Sequence, residues 1–161
     1  MFYQKILMLT LFRSSVILFF TIALSSNLSA QDYKSAAGIR LGTYVAASFK
    51  TFISEKGAIE AIAGISREGG NSIITFGGFY QIHNSFAADT PTLKWYFGGG
   101  TFVALGNENI KTNIALTGII GLEYTFESTP LNLFIDGIPY LSLNNEFNFD
   151  AEASLGVRFV F

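Results

Sequence analysis

The chain has 161 residues, enough for one domain, and is rich in Phe 17, Tyr 7 and Gly 16 while Pro is only 3. Zero Cys excludes disulfides, thiol redox chemistry and Cys-ligated metal sites. The formal net charge of −2 excludes the basic surface that a nucleic-acid partner requires.

Residues 1–30 read as a cleavable signal peptide. Lys5 and Arg13 supply a positive start, Val16 to Leu24 form an apolar core, and small polar residues lead to Ala30. Leu28 is larger than the usual residue at its place before the cleavage point. An anchoring helix would need about 20 apolar residues, and Arg13 interrupts any extension of the run. Residues 31–161 are expected to form the mature domain.

Along that domain, strand-like segments alternate between apolar and polar positions. Segment 36–49 sets Ile39, Leu41, Val45, Ala47 and Phe49 against Arg40, Gly42, Tyr44 and Ser48. Segment 58–66 sets Ile59, Ala61, Ala63 and Ile65 against Glu60, Ile62, Gly64 and Ser66. Segment 72–83 sets Ile74, Phe76, Tyr80 and Ile82 against Thr75, Phe79, Gln81 and His83. Segment 94–105 opens with Trp95 and Phe97 against Lys94 and Tyr96, then passes through Gly98, Gly99 and Gly100. Segment 112–126 sets Leu116, Ile120, Leu122, Tyr124 and Phe126 against Thr117, Gly121, Glu123 and Thr125. Segment 131–142 sets Leu131, Leu133, Ile135 and Leu141 against Asn132, Asp136, Tyr140 and Ser142, with Pro139 predicting a bulge or kink. Segment 151–161 alternates Ala, Leu, Val and Phe with Glu152, Ser154, Arg158 and Val160. Polar stretches at 50–57, 67–71, 84–93, 106–111, 127–130 and 143–150 read as turns.

The strand-borne charges Arg40, Glu60, Lys94, Glu123, Asp136, Glu152 and Arg158 all fall on the less apolar phase. A charge on a lipid-facing position costs about 2–4 kcal/mol at mid-bilayer, which accounts for its absence from the other phase. The pattern predicts an all-β fold: a single antiparallel up-and-down transmembrane barrel whose grease faces acyl chains and whose ions face a packed interior. A soluble lipocalin-like barrel is the alternative, but it would leave Ile62, Phe79, Phe134, Ile138 and Val160 facing water among few charges. Aromatics near segment ends (Tyr44, Phe49, Tyr80, Trp95, Tyr124, Phe126, Phe159 and Phe161) suit interface girdles. Seven segments are legible, whereas a bacterial barrel needs an even number. Eight strands are expected, the eighth hidden in 84–93, around 31–35, or produced by segment 36–49 bending into two.

With its leader, its alternating segments, its Gly-Leu-Glu-Tyr-Thr-Phe stretch at 121–126 and its closing Gly-Val-Arg-Phe-Val-Phe at 156–161, the chain resembles the small bacterial outer-membrane β-barrels of the OmpA/OmpX type. The resemblance covers essentially all of 31–161. It implies an outer-membrane location, outer-membrane lipids and lipopolysaccharide as surroundings, and a monomer. It also implies that Phe159 and Phe161 present a signal to the insertion machinery. The family holds structural and adhesion proteins and a few lipid-modifying enzymes.

In a lumen wide enough only for side chains, Arg40, Lys94 and Arg158 would face Glu60, Glu123, Asp136 and Glu152 as a salt-bridge plug. The sharper reading makes Glu123 and Asp136 an acid/base pair. His83, the only histidine, with Ser85 and Asp89 nearby, is the only opening for a deacylase-like lipid-A hydrolase; a solvated histidine at a strand end is the plainer reading. Gly98 to Gly100 lack the Lys-Ser/Thr of a phosphate loop and read as room for Tyr96 or Phe102. Glu108, Glu146 and Asp150 read as solvated loop charges without metal-ligand spacing, and no cofactor is expected. The expected role is therefore non-enzymatic, in structure or surface interaction.

Overall fold

The computed structural model describes residues 33–68, 71–86, 92–106, 112–144 and 148–161. The leader at 1–30 and the loop residues Asp89, Glu108 and Glu146 lie outside the described residues. Eight strands run β1 Ser35–Leu41, β2 Val45–Phe52, β3 Gly57–Glu68, β4 Asn71–Ser85, β5 Leu93–Leu105, β6 Asn113–Thr125, β7 Leu131–Ser142 and β8 Asn148–Val160. They pair antiparallel in chain order and close, β8 lying against β1 with Val157 opposite Ile39. Closure removes the exposed edges that an open sheet of such apolar strands would present.

The eighth strand comes from segment 36–49, which bends at Gly42 to Tyr44 into β1 and β2. Leu41 sits opposite Val45 in the resulting hairpin. Residues facing each other across a ladder point to the same side of the sheet, so the alternation runs unbroken through the turn and hides it. Other strands are longer than their apolar residues suggest. Lys50 and Thr51 belong to β2, Arg67 to β3, Asn84 and Ser85 to β4, and Asn148 to Asp150 to β8. Pro139 produces no bulge. Thr117 faces Tyr140 and Ile120 faces Gly137 in one unbroken register, with the two intervening pairs missing from the ladder. The proline deletes a donor, and a glycine opposite, Gly118, leaves its ring room without displacing the strand.

The wall is apolar on its outside and polar within. Leu133 is 44% exposed and Ile135 56%, whereas Glu123 and Arg158 are each 1% exposed. Phe49, Tyr80, Phe97, Tyr124 and Phe161 are exposed near the barrel end that carries the two described termini, and Trp95 and Phe126 stand with them. Tyr44 does not join this belt. It lies on the inward phase at the opposite end and is buried against Phe102.

Inside, the side chains form layers. Tyr33, Ala36, Phe52 and Val160 close the terminus end, and Ile62, Phe79, Phe102, Ile119 and Ile138 pack together further along. The buried charges lie among these apolar groups. Tyr96 fits because Gly121 faces it in the ladder: a β-carbon there would come within 2.6 Å of the Tyr96 ring and 2.7 Å of Asp136 Cβ. Gly137, on the outward phase, has nothing nearer than 4.0 Å to such an atom. Gly121→Val should therefore destabilise the barrel by about 1–3 kcal/mol, and Gly137→Val should leave it within about 0.5 kcal/mol. Urea-unfolding midpoints of the refolded variants check this contrast.

Candidate functional site: the ionic interior

Strand parity brings side chains from seven strands into one space. Glu60 on β3 is its hub. Its Oε1 accepts hydrogen bonds from Arg40 Nη2 at 2.9 Å, Arg158 Nη2 at 2.6 Å and Ser48 Oγ at 2.7 Å. Its Oε2 accepts from Gln81 Nε2 at 2.6 Å. Arg40 Nη1 turns to Asp136 Oδ1 at 2.7 Å, and Ser154 Oγ stands 2.5 Å from both groups. Tyr96 Oη donates to Asp136 Oδ2 at 2.6 Å. The Phe134 ring centroid lies 3.7 Å from the Arg158 guanidinium carbon and 4.8 Å from that of Arg40, so both cations also have an aromatic face.

A second group surrounds Glu123 on β6. Lys50 forms an ion pair with Glu123 Oε2, and Arg158 Nη1 stands 3.9 Å from the same oxygen. Tyr33 Oη donates to Glu123 Oε1 at 3.3 Å, and His83 Nε2 is 3.6 Å from that atom. Lys50 Nζ lies 5.3 Å from the Tyr33 ring centroid and 5.2 Å from that of Phe52. Arg40, Lys50 and Arg158 thus stand against Glu60, Glu123 and Asp136. Such balance matters where each unpaired ion would cost several kcal/mol.

The structure brings together Arg40, Glu60, Asp136, Arg158 and Glu123. It does not bring in Lys94 or Glu152. Both are half-buried, Lys94 beside the Phe52 ring and Glu152 toward the end far from the termini, and neither has an ion-pair partner among the described residues. Glu123 and Asp136 are held by different partners, Lys50 and Tyr33 for the first and Arg40 and Tyr96 for the second.

His83 is not a solvated strand-end residue. It is 3% exposed, stacked on Tyr96 at 5.0 Å between centroids and tilted against Phe52 at 4.8 Å. Its strand continues inward for longer than its polar sequence suggests. Ser85, on the same strand, is exposed and makes no hydrogen bond to the imidazole. Gly98, Gly99 and Gly100 lie within β5 opposite Gln81, Tyr80 and Phe79, not in a loop. Asp150 is a β8 residue whose carboxylate accepts from the Tyr140 hydroxyl at 3.3 Å and the Ala151 N–H at 2.8 Å. Phe159 is half-buried and Phe161 is 39% exposed. Among the described residues no group of three His, Asp or Glu side chains is placed to hold a metal ion.

Lys50 is the member that sequence reasoning misses. Its even position continues the phase of Arg40 and Ser48, but a lysine beside Thr51 and before Ser54 reads as the start of a turn.

Asp136→Ala removes one partner of buried Arg40 and should cost about 3–5 kcal/mol, whereas Glu152→Ala should cost less than about 1 kcal/mol. Unfolding free energies from urea titrations decide this, and equal losses in the two variants would refute the assignment.

The barrel is similar to the crystal structure of the N-terminal β-barrel domain of Pseudomonas aeruginosa OprF, with a TM-score of 0.62, 15% sequence identity, and coverage of 80% of this chain and 96% of that one. At that identity the likeness is one of fold, the outer-membrane-type eight-stranded β-barrel. No family model matches the chain, and no curated protein matches it.

Proposed function

We propose that the chain is an integral β-barrel protein of a bacterial outer membrane, with a closed, charged lumen and a non-enzymatic role in structure or surface interaction. The carrying observation is the inversion of polarity across the wall. Ile39, Phe49, Ile74, Leu116, Ile135 and Leu155 are exposed around the outside while Arg40, Lys50, Glu60 and Arg158 are buried within. In water such a belt would cost about 25 cal/mol for each Å² of apolar surface left wet, and contiguous apolar surface of this extent marks contact with lipid or another apolar phase. Acyl chains remove that cost, and the aromatic belt at the terminus end suits the headgroup boundary.

In this reading the terminus end faces the periplasm and the opposite end faces outward. Lipids and lipopolysaccharide surround a monomeric barrel, and the insertion machinery is its partner during assembly. The ionic interior serves as a plug. A narrow barrel filled by paired charges and rings offers no continuous water path. The enclosure of His83 beneath Tyr96 and Phe52 supports a non-enzymatic role, because lipid at the outer wall has no route to the imidazole.

Cell fractionation tests the location. The protein should remain in the outer-membrane fraction and migrate differently on a gel when unheated, whereas recovery as a soluble periplasmic protein would overturn the reading. Ile135→Arg should lower stability in lipid vesicles by about 2–4 kcal/mol, since its side chain is 56% exposed on the outer wall. Planar bilayers should show no sustained conductance, and lipid A acyl composition should be unchanged by expression. Loss of an acyl chain would favour the hydrolase alternative.

A further inference from the structure

The barrel wall is not level. The β1–β8 ladder ends at Leu41 opposite Leu155, so Asn148 to Ser154 of β8 pair only with β7. On the other side, the β2–β3 ladder ends at Val45 opposite Ile65, and Ser66 and Arg67 pair only with β4. The short β1–β2 hairpin therefore leaves a notch in the wall at the end far from the termini. Its floor is the turn at Gly42 to Tyr44.

Behind the notch lies a cavity of about 360 Å³, lined among others by Thr43, Tyr44, Arg67, Phe102, Asn113 and Glu152. That volume lies within the range of small-ligand sites. Its polar groups are incompletely used. The Tyr44 hydroxyl is buried and has no hydrogen-bond partner, although the residue is only 9% exposed. Asn113 donates through Nδ2 to Ser142 Oγ at 3.1 Å, but its Oδ1 has no partner. Arg67, exposed on the phase of β3 that also carries Ile65, and half-buried Glu152 both line this space, and neither forms an ion pair among the described residues. The Thr43 side chain and the Asp150 carboxylate lie near the Glu152 carboxylate. The Tyr44 and Phe102 rings meet edge to face at 6.2 Å and give the cavity an apolar floor.

The fully buried ions of this barrel are matched in the folded chain itself, and half-buried Lys94 lies over the Phe52 ring. Here an exposed cation and a half-buried carboxylate line one space without pairing, beside a spare donor and a spare acceptor. We infer that this vestibule binds a small zwitterion, its ammonium group held by Glu152 and Asn113 Oδ1 and its anionic group by Arg67 and the Tyr44 hydroxyl. The notch admits either a free zwitterion or a lipid-borne one. Leu41, Val45, Ile65 and Leu155 are exposed on the wall beside it, where an acyl chain would lie while its headgroup entered. The site follows from the barrel's geometry and does not rest on the proposed plug or its cellular role.

The test is calorimetric titration of the protein purified in non-ionic maltoside micelles, with glycerophosphoethanolamine as the free zwitterion and lysophosphatidylethanolamine as the lipid-borne one. Ethanolamine and glycerol phosphate supply each charge alone. Saturable binding of a zwitterion, about tenfold or more tighter than either half, is expected. Glu152→Gln and Arg67→Gln should each weaken it about tenfold, with unheated gel migration unchanged, and Tyr44→Phe should weaken it too. Binding by the free headgroup assigns a soluble source, and binding by the lysolipid alone assigns a membrane source. The inference falls if neither zwitterion binds saturably, if either half binds as tightly, or if folded variants keep wild-type affinity. Should a variant lose the folded band, the wild-type comparison of zwitterion with its halves still decides. A soluble cellular location with intact zwitterion binding would sink the membrane proposal alone.

Discussion

Taking an ionised carboxylate out of water costs several kcal/mol, and Glu60 at 0% exposure can stay charged only while partners surround it. Those partners come from distant parts of the chain: Arg40 on β1, Ser48 on β2, Gln81 on β4 and Arg158 on β8. The first and last strands therefore meet at one carboxylate as well as along their shared ladder. Arg40 reaches on to Asp136 on β7, and Lys50 on β2 reaches Glu123 on β6. A slip of one residue in any of these strands would turn its charge onto the outer wall and strand its partner inside. Pairing in the interior thus holds the register of the whole barrel.

The same arrangement explains the aromatic and glycine content. Guanidinium groups leave little space for water, and the rings of Phe134, Tyr33 and Phe52 fill the gaps while offering their faces to cations. Tyr96 is accommodated because Gly121 has no side chain. Hydrogen bonds to the buried carboxylates from Tyr33, Tyr96, Ser48, Ser154 and Gln81 satisfy lone pairs that the cations leave over. The interior is organised as a polar network with apolar packing on either side. That order is the reverse of a soluble barrel, where greasy side chains occupy the centre.

Strand length adds a further asymmetry. β1 has 7 residues and β2 has 8, while β3 to β8 run from 12 to 15. Closure at the terminus end is complete, but the opposite rim steps down where the first hairpin turns early. Unpaired β8 backbone at that step is partly satisfied by Asp150, whose carboxylate takes the Ala151 N–H. Such local capping of a free edge is a common way to keep it from pairing with other chains. The vestibule behind the step is where half-buried Glu152 and exposed Arg67 line one space without pairing.

The two-residue alternation carries information about faces and nothing about distance. From it alone one can place Arg40, Glu60, Glu123, Asp136 and Arg158 on the inner phase and Ile39, Leu133 and Ile135 on the outer, because side-chain direction is a local property of extended backbone. Alternation could not reveal the turn at Gly42 to Tyr44, since a hairpin with an even offset preserves parity. Nor could it show that Lys50 is buried, that His83 lies under rings, or that Lys94 and Glu152 stand apart from the ion pairs. Those outcomes depend on which strands become neighbours across the lumen and on how far each one reaches along the barrel. The chain's own pattern determined which way its residues point; barrel closure and stagger decided which of them meet.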